Sequence, residues 1–252
     1  CVPIDFGFMN VKLAREAKRL GWKVLYFVPP GSWRRNKQAA DLAPICDAIV
    51  TPFEWSATML NQMGAKAHWF GHPLKQLVAA APAGPRERKG IAVLPGSRQH
   101  EIEHNLPVIA EAARALGQPV EFGVAASFGA GPLRELWKRF GGPEGAKFTE
   151  GDLYGVLKRS KAAIVCSGTA TLEAALCGCP TVVMYRGSKM MELEYKIRKP
   201  KFDYFSLPNI LMERQVVPEL LQWAATPIRV QSETAALLEE GPAREAQLEA
   251  FK

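Results

Sequence analysis

The chain has 252 residues and a mass of 27.7 kDa, and 48% of its residues are apolar, enough to bury one large core or two modest ones. Intrinsic disorder and a small disulfide-stapled scaffold are excluded. Lys and Arg number 32 against 25 Asp and Glu, a net charge of +7 with pI ≈ 9.2, which favours anionic partners: phosphates, nucleic acid or a lipid surface.

The first residues, Cys1-Val-Pro-Ile-Asp5, read as the end of a strand without an initiating Met, so a processed or truncated start is expected. Leu13, Ala17 and Leu20 mark a helical face that Gly21 stops, and strands follow at about 23–29, 47–51 and 66–70. From Ala79 to Gly90, two prolines, a glycine and a charge cluster read as a linker. Further strands are expected at about 91–94, 119–125, 146–149, 162–166 and 181–185, each followed by a helix-length segment.

Such alternation specifies an α/β protein of parallel β/α units. The predicted organisation is a first Rossmann-like domain over 1–80, a linker over 81–89, a second domain over 90–225 and a helical tail over 226–252. Two doubly wound sheets set ligands at the carboxyl ends of their strands, in a cleft between the domains. No run approaches the roughly 20 apolar residues that span a bilayer, so any membrane role is expected to be peripheral. Cys1, Cys46, Cys166, Cys177 and Cys179 form no C-x-x-C pair, which suggests reduced, mostly buried thiols in a cytosol.

Leu94-Pro-Gly-Ser-Arg98 is a strand entering a Gly-Ser turn that ends in Arg, followed by Glu101 and Glu103. Gly96, Ser97 and Arg98 can offer backbone N–H groups and a guanidinium to an oxyanion, or form an ordinary connection. Cys166-Ser-Gly-Thr-Ala-Thr-Leu-Glu173 follows an apolar strand. Ser167, Gly168 and Thr169 allow close approach of a diphosphate to a helix start, and Glu173 can accept hydrogen bonds from a ribose. The bland alternative is Ser/Thr capping of a helix. Neither segment is a Walker loop or a G-x-G-x-x-G turn.

His100-Glu-Ile-Glu-His104 matches the zinc pattern H-E-x-x-H, but Pro107 is expected to kink or break the helix beside it, so no metal is assigned. Asp5, at a strand end, can serve as a general base or cap the next helix. His72, in Phe70-Gly-His-Pro73, reads as structural more readily than as a cleft residue. The basic and aromatic run Tyr195–Phe205 suits phosphate, nucleic acid, lipid headgroups or a solvated helix face; no nucleic-acid-binding motif accompanies it.

In order and spacing, Leu94-Pro-Gly-Ser-Arg-Gln-His-Glu-Ile102, Ser167–Glu173, Pro180-Thr-Val-Val-Met-Tyr-Arg186, Leu207-Pro-Asn-Ile210 and Val217-Pro-Glu-Leu-Leu-Gln222 resemble the lipid-A-disaccharide synthase family. Ile4-Asp5, Tyr26-Phe-Val-Pro29 with Trp33, Pro52-Phe-Glu54 and Phe70–Pro73 extend the likeness upstream. The resemblance implies a GT-B fold: two doubly wound Rossmann-like domains facing a cleft, the first incomplete here. It implies an inverting, metal-independent glycosyltransferase without a cofactor, joining UDP-2,3-diacylglucosamine to 2,3-diacylglucosamine 1-phosphate (lipid X) through a β-1,6 bond and releasing UDP. It further implies peripheral association with the cytoplasmic leaflet of a Gram-negative-type inner membrane, a homodimer, and no nucleic-acid partner.

The same likeness assigns Asp5 as base and Arg98 as holder of leaving-group charge. Substrate contacts fall to Asn10, Gly96, Ser97, Ser167, Gly168, Thr169, Glu173, Arg186 and Asn209. Phe8-Met9-Asn10 stands where the family has Asp-Phe-Asn, and the family's glycine-rich opening turn has no counterpart. Two alternatives remain open: a non-catalytic GT-B module that binds UDP-sugar, and another GT-B enzyme using UDP-GlcNAc.

Overall fold

A computed structural model describes residues 1–29, 41–188 and 204–252. The chain divides into two compact units, Cys1–Leu77 and Val78–Lys252. In the first, helix α1 (Gly7–Arg19) leads to strand β1 (Leu25–Phe27), and β2 (Ala48–Val50), α2 (Glu54–Gln62), β3 (Ala67–His68) and α3 (Pro73–Ala80) follow, α3 crossing into the second unit. The three strands form a parallel sheet in the order β1-β2-β3, and Ile4 forms a parallel bridge with Phe27 outside β1. Tyr26, Ile49 and Leu60 are fully enclosed in this core.

Asp47 fastens the first unit across the sheet. Its carboxylate accepts from Lys18 Nζ at 2.8 Å and from the backbone N–H of Val24 at 2.9 Å. The Lys18 hydrogen bond, then that of Val24, brings its pKa from 3.8 to about 2. A depressed carboxylate contributes stability that is fully present above 3.8 and is lost as pH falls toward 2. Urea titrations across that interval are expected to show the first unit weakening, and Asp47→Asn is expected to flatten the slope.

The second unit contains β4 (Ile91–Leu94), α4 (Gln99–Leu116), β5 (Val120–Val124), α5 (Ala130–Arg139), β6 (Lys147–Glu150), α6 (Leu153–Arg159), β7 (Ala162–Cys166), α7 (Ala170–Leu176), β8 (Thr181–Tyr185), α8 (Leu207–Met212) and β9 (Glu219–Leu221). Helices α9 (Pro227–Leu238) and α10 (Pro242–Ala250) complete it. Its parallel six-stranded sheet has the order β6-β5-β4-β7-β8-β9, so the winding reverses between β4 and β7. Reversal there opens a crevice beyond the carboxyl ends of those two strands.

Strands β4 and β7 are buried along their whole length, which explains their uninterrupted apolar sequence. Side-chain alternation divides them between two cores: Ile91, Val93, Ala162 and Ile164 enter one, while Ala92, Leu94, Ala163 and Val165 enter the other. The last turn of α3 and the residues after it are bound within this unit. Lys158 Nζ donates to the carbonyls of Val78, Ala81 and Pro82 at 2.9, 2.9 and 3.0 Å.

Downstream, Val230 and Leu237 of α9 join the larger core. Gln247 of α10 pairs with the first residue of β8, its Oε1 accepting from Thr181 N at 2.7 Å and its Nε2 donating to Thr181 O at 3.2 Å. Cys46, Cys166, Cys177 and Cys179 are buried free thiols, and burial pushes Cys179 up to about 12. Among the described residues, no helix is long and apolar enough to cross a membrane.

Helix α4 corrects one expectation: it runs from Gln99 to Leu116 through Pro107 without interruption. The proline removes the hydrogen bond to the Glu103 carbonyl, but Glu103 is exposed, so water can reach the orphaned group. His104 Nδ1 lies 2.6 Å from the His100 carbonyl, a local contact within the helix. No group of three or more His, Cys, Asp or Glu side chains among the described residues is arranged to hold a metal ion.

Candidate functional site

At the carboxyl ends of β4 and β7, where the winding reverses, lies a pocket of about 370 Å³. It is lined by Gly96, Ser97, Arg98 and Glu101 on one side and by Cys166, Ser167, Gly168, Thr169 and Glu173 on the other, with Gly123, Val124 and Leu153 among the remaining walls. The two segments singled out in the sequence therefore meet in one place because their strands are adjacent, with Leu94 beside Val165.

The turn after β4 is built around Glu101. One carboxylate oxygen accepts from the N–H groups of Ser97 and Arg98 at 3.2 and 3.3 Å, and the other from Arg98 Nη1 at 2.6 Å. Burial pushes the Glu101 pKa up, but the hydrogen bonds from Arg98 and Ser97 outweigh it and leave the carboxyl below its ordinary range. Asn105 Nδ2 donates to the Pro95 carbonyl at 2.9 Å, and Ser127 Oγ donates to the Ser97 carbonyl at 3.1 Å. Gly96 has φ +124°, and a Cβ there would stand 2.9 Å from both Cβ and Oε2 of Glu101. Only glycine fits that backbone and that contact.

Across the pocket, Thr171 Oγ1 donates to the Gly168 carbonyl at 2.7 Å and accepts from Leu207 N at 3.2 Å, while Ser167 Oγ donates to the Phe205 carbonyl at 3.3 Å. Glu173 accepts from the Tyr154 hydroxyl at 3.1 Å. Burial raises the Glu173 carboxyl above its ordinary range, and burial with the nearby Glu173 carries Tyr154 up to about 12. The pocket thus combines one exposed guanidinium, backbone groups of two turns and a carboxyl partly shielded from water.

Asn209 does not line the pocket. It is fully buried, with Nδ2 donating to Val217 O and Glu219 Oε1 at 2.9 and 2.8 Å, and Oδ1 accepting from Val216 N and Val217 N at 2.6 and 2.8 Å. These bonds consume both of its amide hydrogens, so the expected substrate contact gives way to an internal brace. Arg186 also lies outside the lining; its backbone N–H donates to Asn105 Oδ1 at 2.8 Å.

Asp5 and Asn10 belong to the first unit. Asp5 ends the strand segment with φ 48°, followed by Phe6 at φ 41°, two consecutive non-glycine residues in the left-handed region. The Asp5 carbonyl accepts from Tyr26 Oη at 2.9 Å and Asn10 Nδ2 at 3.0 Å, and Asn10 Nδ2 also reaches Ile4 O at 2.8 Å. Helix α1 has no side-chain cap, and no described residue hydrogen-bonds the Asp5 carboxylate; the capping alternative is absent.

His72 is structural in geometry: its Nδ1 accepts from Leu74 N at 3.2 Å, and burial lowers its pKa. It also borders a pocket of about 310 Å³ in the first unit, with Phe27, Thr51, Phe70 and Lys75. Of the basic and aromatic run, residues 195–203 lie outside the described residues, as does Trp33.

Sequence reasoning assigned no role to Glu101, Asn105, Tyr154 or Glu219. Glu219 accepts from Ser206 Oγ at 2.6 Å and from the N–H groups of Phe205 and Ser206, fixing the start of α8. The available signal was a carboxylate three residues after Arg98 and another within Val217-Pro-Glu219, each facing a turn rather than open helix surface.

The family model described as lipid-A-disaccharide synthetase matches residues 1–251. A lipid-A-disaccharide synthase of Syntrophus aciditrophicus is 35% identical over 266 residues, covering 97% of this chain and 67% of that protein. The chain spans about two thirds of the length of the curated relatives it matches. Among solved structures, the S. aureus MnaA-UDP co-structure superimposes with a TM-score of 0.60 at 12% identity, covering 99% of this chain and 68% of that one. Phytolacca americana UGT2 complexed with UDP-2fluoro-glucose and pterostilbene gives a TM-score of 0.57 at 10% identity, covering 99% and 70%. These likenesses establish a GT-B type fold built of Rossmann-like parallel units.

Proposed function

Because the chain belongs to the lipid-A-disaccharide synthetase family, glycosyltransferases of lipid A biosynthesis, we propose that its second unit holds the UDP end of a UDP-2,3-diacylglucosamine donor. The observation that carries this reading is the convergence of Gly96–Arg98 with Ser167–Thr169 and Glu173 around one pocket at the point where the sheet reverses. Backbone groups of the two turns and Arg98 suit a diphosphate, and Glu173 suits a ribose hydroxyl. The acceptor is 2,3-diacylglucosamine 1-phosphate, whose negative charge agrees with the +7 of the chain.

In the proposed reaction, Asp5 takes the proton of the acceptor 6-hydroxyl as that oxygen attacks the anomeric carbon. The bond from this carbon to the UDP oxygen breaks on the opposite face, the configuration inverts, and the electron pair leaves with the β-phosphate. Arg98 meets the charge that develops there. The step is proposed to proceed without a metal or cofactor. Peripheral attachment to the inner membrane and self-association belong to the same proposal.

Purified chain is expected to bind UDP in a calorimeter and to release UDP from the acylated donor only when acceptor is present. Binding without release would assign the pocket to a donor-binding module that does not turn over by itself. Absence of UDP binding would overturn the nucleotide reading, and equal use of deacylated UDP-GlcNAc would favour another GT-B enzyme.

A further inference from the structure

We propose that Glu101 is the positioning residue for Arg98, holding its guanidinium in the pocket as the sole cationic side chain of the β4 turn; the inference rests on the nucleotide reading of that pocket. The two side chains differ sharply in exposure, 8% for Glu101 and 70% for Arg98, although they pair at 2.6 Å. An exposed arginine ordinarily samples many rotamers, and most surface ion pairs contribute little. This pair differs because its carboxylate is fixed independently by the N–H groups of Ser97 and Arg98. Arg98 is therefore bound to one carboxylate through both its backbone and its side chain, a closed loop that restricts its reach.

A helix cap alone does not account for the arrangement. Asn105 and Ser127 already hold the turn from the Pro95 and Ser97 carbonyls. The N–H groups of Ser97 and Arg98, just before α4, are engaged by the protein's own carboxylate. From Ser97 and Arg98, an incoming diphosphate is offered the guanidinium nitrogens not engaged by Glu101 rather than these two N–H groups. Glu101 also brings a negative charge beside the place where an anion must bind, which a residue serving affinity alone would not do. The arrangement favours orientation of the arginine over maximal attraction.

The test is a double-mutant cycle with UDP as the probe, using the full chain, Glu101→Gln, Arg98→Ala and the double variant. Binding is read by calorimetry, UDP release from the donor by steady-state kinetics, and folding by circular dichroism and melting. Glu101→Gln keeps the shape of the side chain and is expected to weaken UDP binding about fivefold to tenfold when Arg98 is present, but less than about twofold in the Arg98→Ala background. Glu101→Asp, which restores the charge, is expected to recover part of the loss. Equal losses in both backgrounds would reduce Glu101 to a cap and overturn the proposal. Tighter UDP binding by Glu101→Gln would overturn it as well, since simple repulsion would then dominate. A parent chain that binds no UDP while remaining folded would overturn the nucleotide reading itself, a separate failure from loss of coupling.

Discussion

In the Arg98→Ala chain, release of UDP from the donor in the presence of acceptor is expected to fall about 10²- to 10³-fold, with the melting temperature nearly unchanged. The two parts of this expectation have separate causes. The side chain is 70% exposed, so its removal leaves no cavity; Glu101 Oε1 loses its partner, but the other oxygen keeps the N–H groups of Ser97 and Arg98, which limits the loss of stability. Its proposed contribution, present in bound UDP, grows as negative charge accumulates on the departing diphosphate, where a preoriented donor is most effective. Arg98→Lys is expected to recover little, because an ammonium cannot reproduce the guanidinium's fixed fork beside Glu101. A rise in KM alone, with kcat untouched, would instead make Arg98 a residue of uniform substrate binding.

Asn209→Ala is expected to do the reverse: a large loss of stability with little change in UDP affinity per folded molecule. The residue sits at 0% exposure and joins the Val216–Val217 backbone to Glu219. Alanine would leave two buried N–H groups, a carbonyl and one side of a carboxylate without that partner. The expected cost is about 3–4 kcal/mol, measured by urea unfolding of the second unit. If stability stays within experimental error while UDP binding collapses, Asn209 contacts the nucleotide after all and the brace is incidental.

The contrast between these residues shows what the amino-acid sequence makes legible. Strands β4, β7 and β8 were visible because central parallel strands are buried on both faces and read as unbroken apolar runs. Strand β9, with only Glu219-Leu-Leu221, was not distinguished as a strand: it is short and its first residue is a carboxylate whose partners lie 10–14 residues away in the chain. Arg98, Ser167 and Glu173 were legible as residues following strand ends, and the structure places all three on the pocket wall. Asn209 carried the same local appearance, a polar side chain in a short motif. Whether it faces solvent or clasps the backbone depends on where Val216 folds, which spacing does not reveal.

Pro107 teaches a related lesson in energetic terms. A proline inside a helix forfeits one hydrogen bond, but the penalty depends on whether the freed carbonyl can meet water. Around it, Leu106, Val108 and Ile109 are buried against the sheet, and that packing favours continuing the helix. Local chemistry alone overestimates such a break because it omits the tertiary contacts made on either side.

The clasp between Gln247 and Thr181 also bears on synthesis of the protein. During translation, Thr181 emerges 66 residues before the side chain that satisfies both its backbone N–H and its carbonyl. Until α10 leaves the ribosome, the entrance of β8 retains an unfilled pair of hydrogen-bonding groups in what will become the interior. The second unit therefore completes this part of its sheet only after α10 has been made, and translational pauses upstream of Gln247 would prolong the time that β8 spends without its clasp.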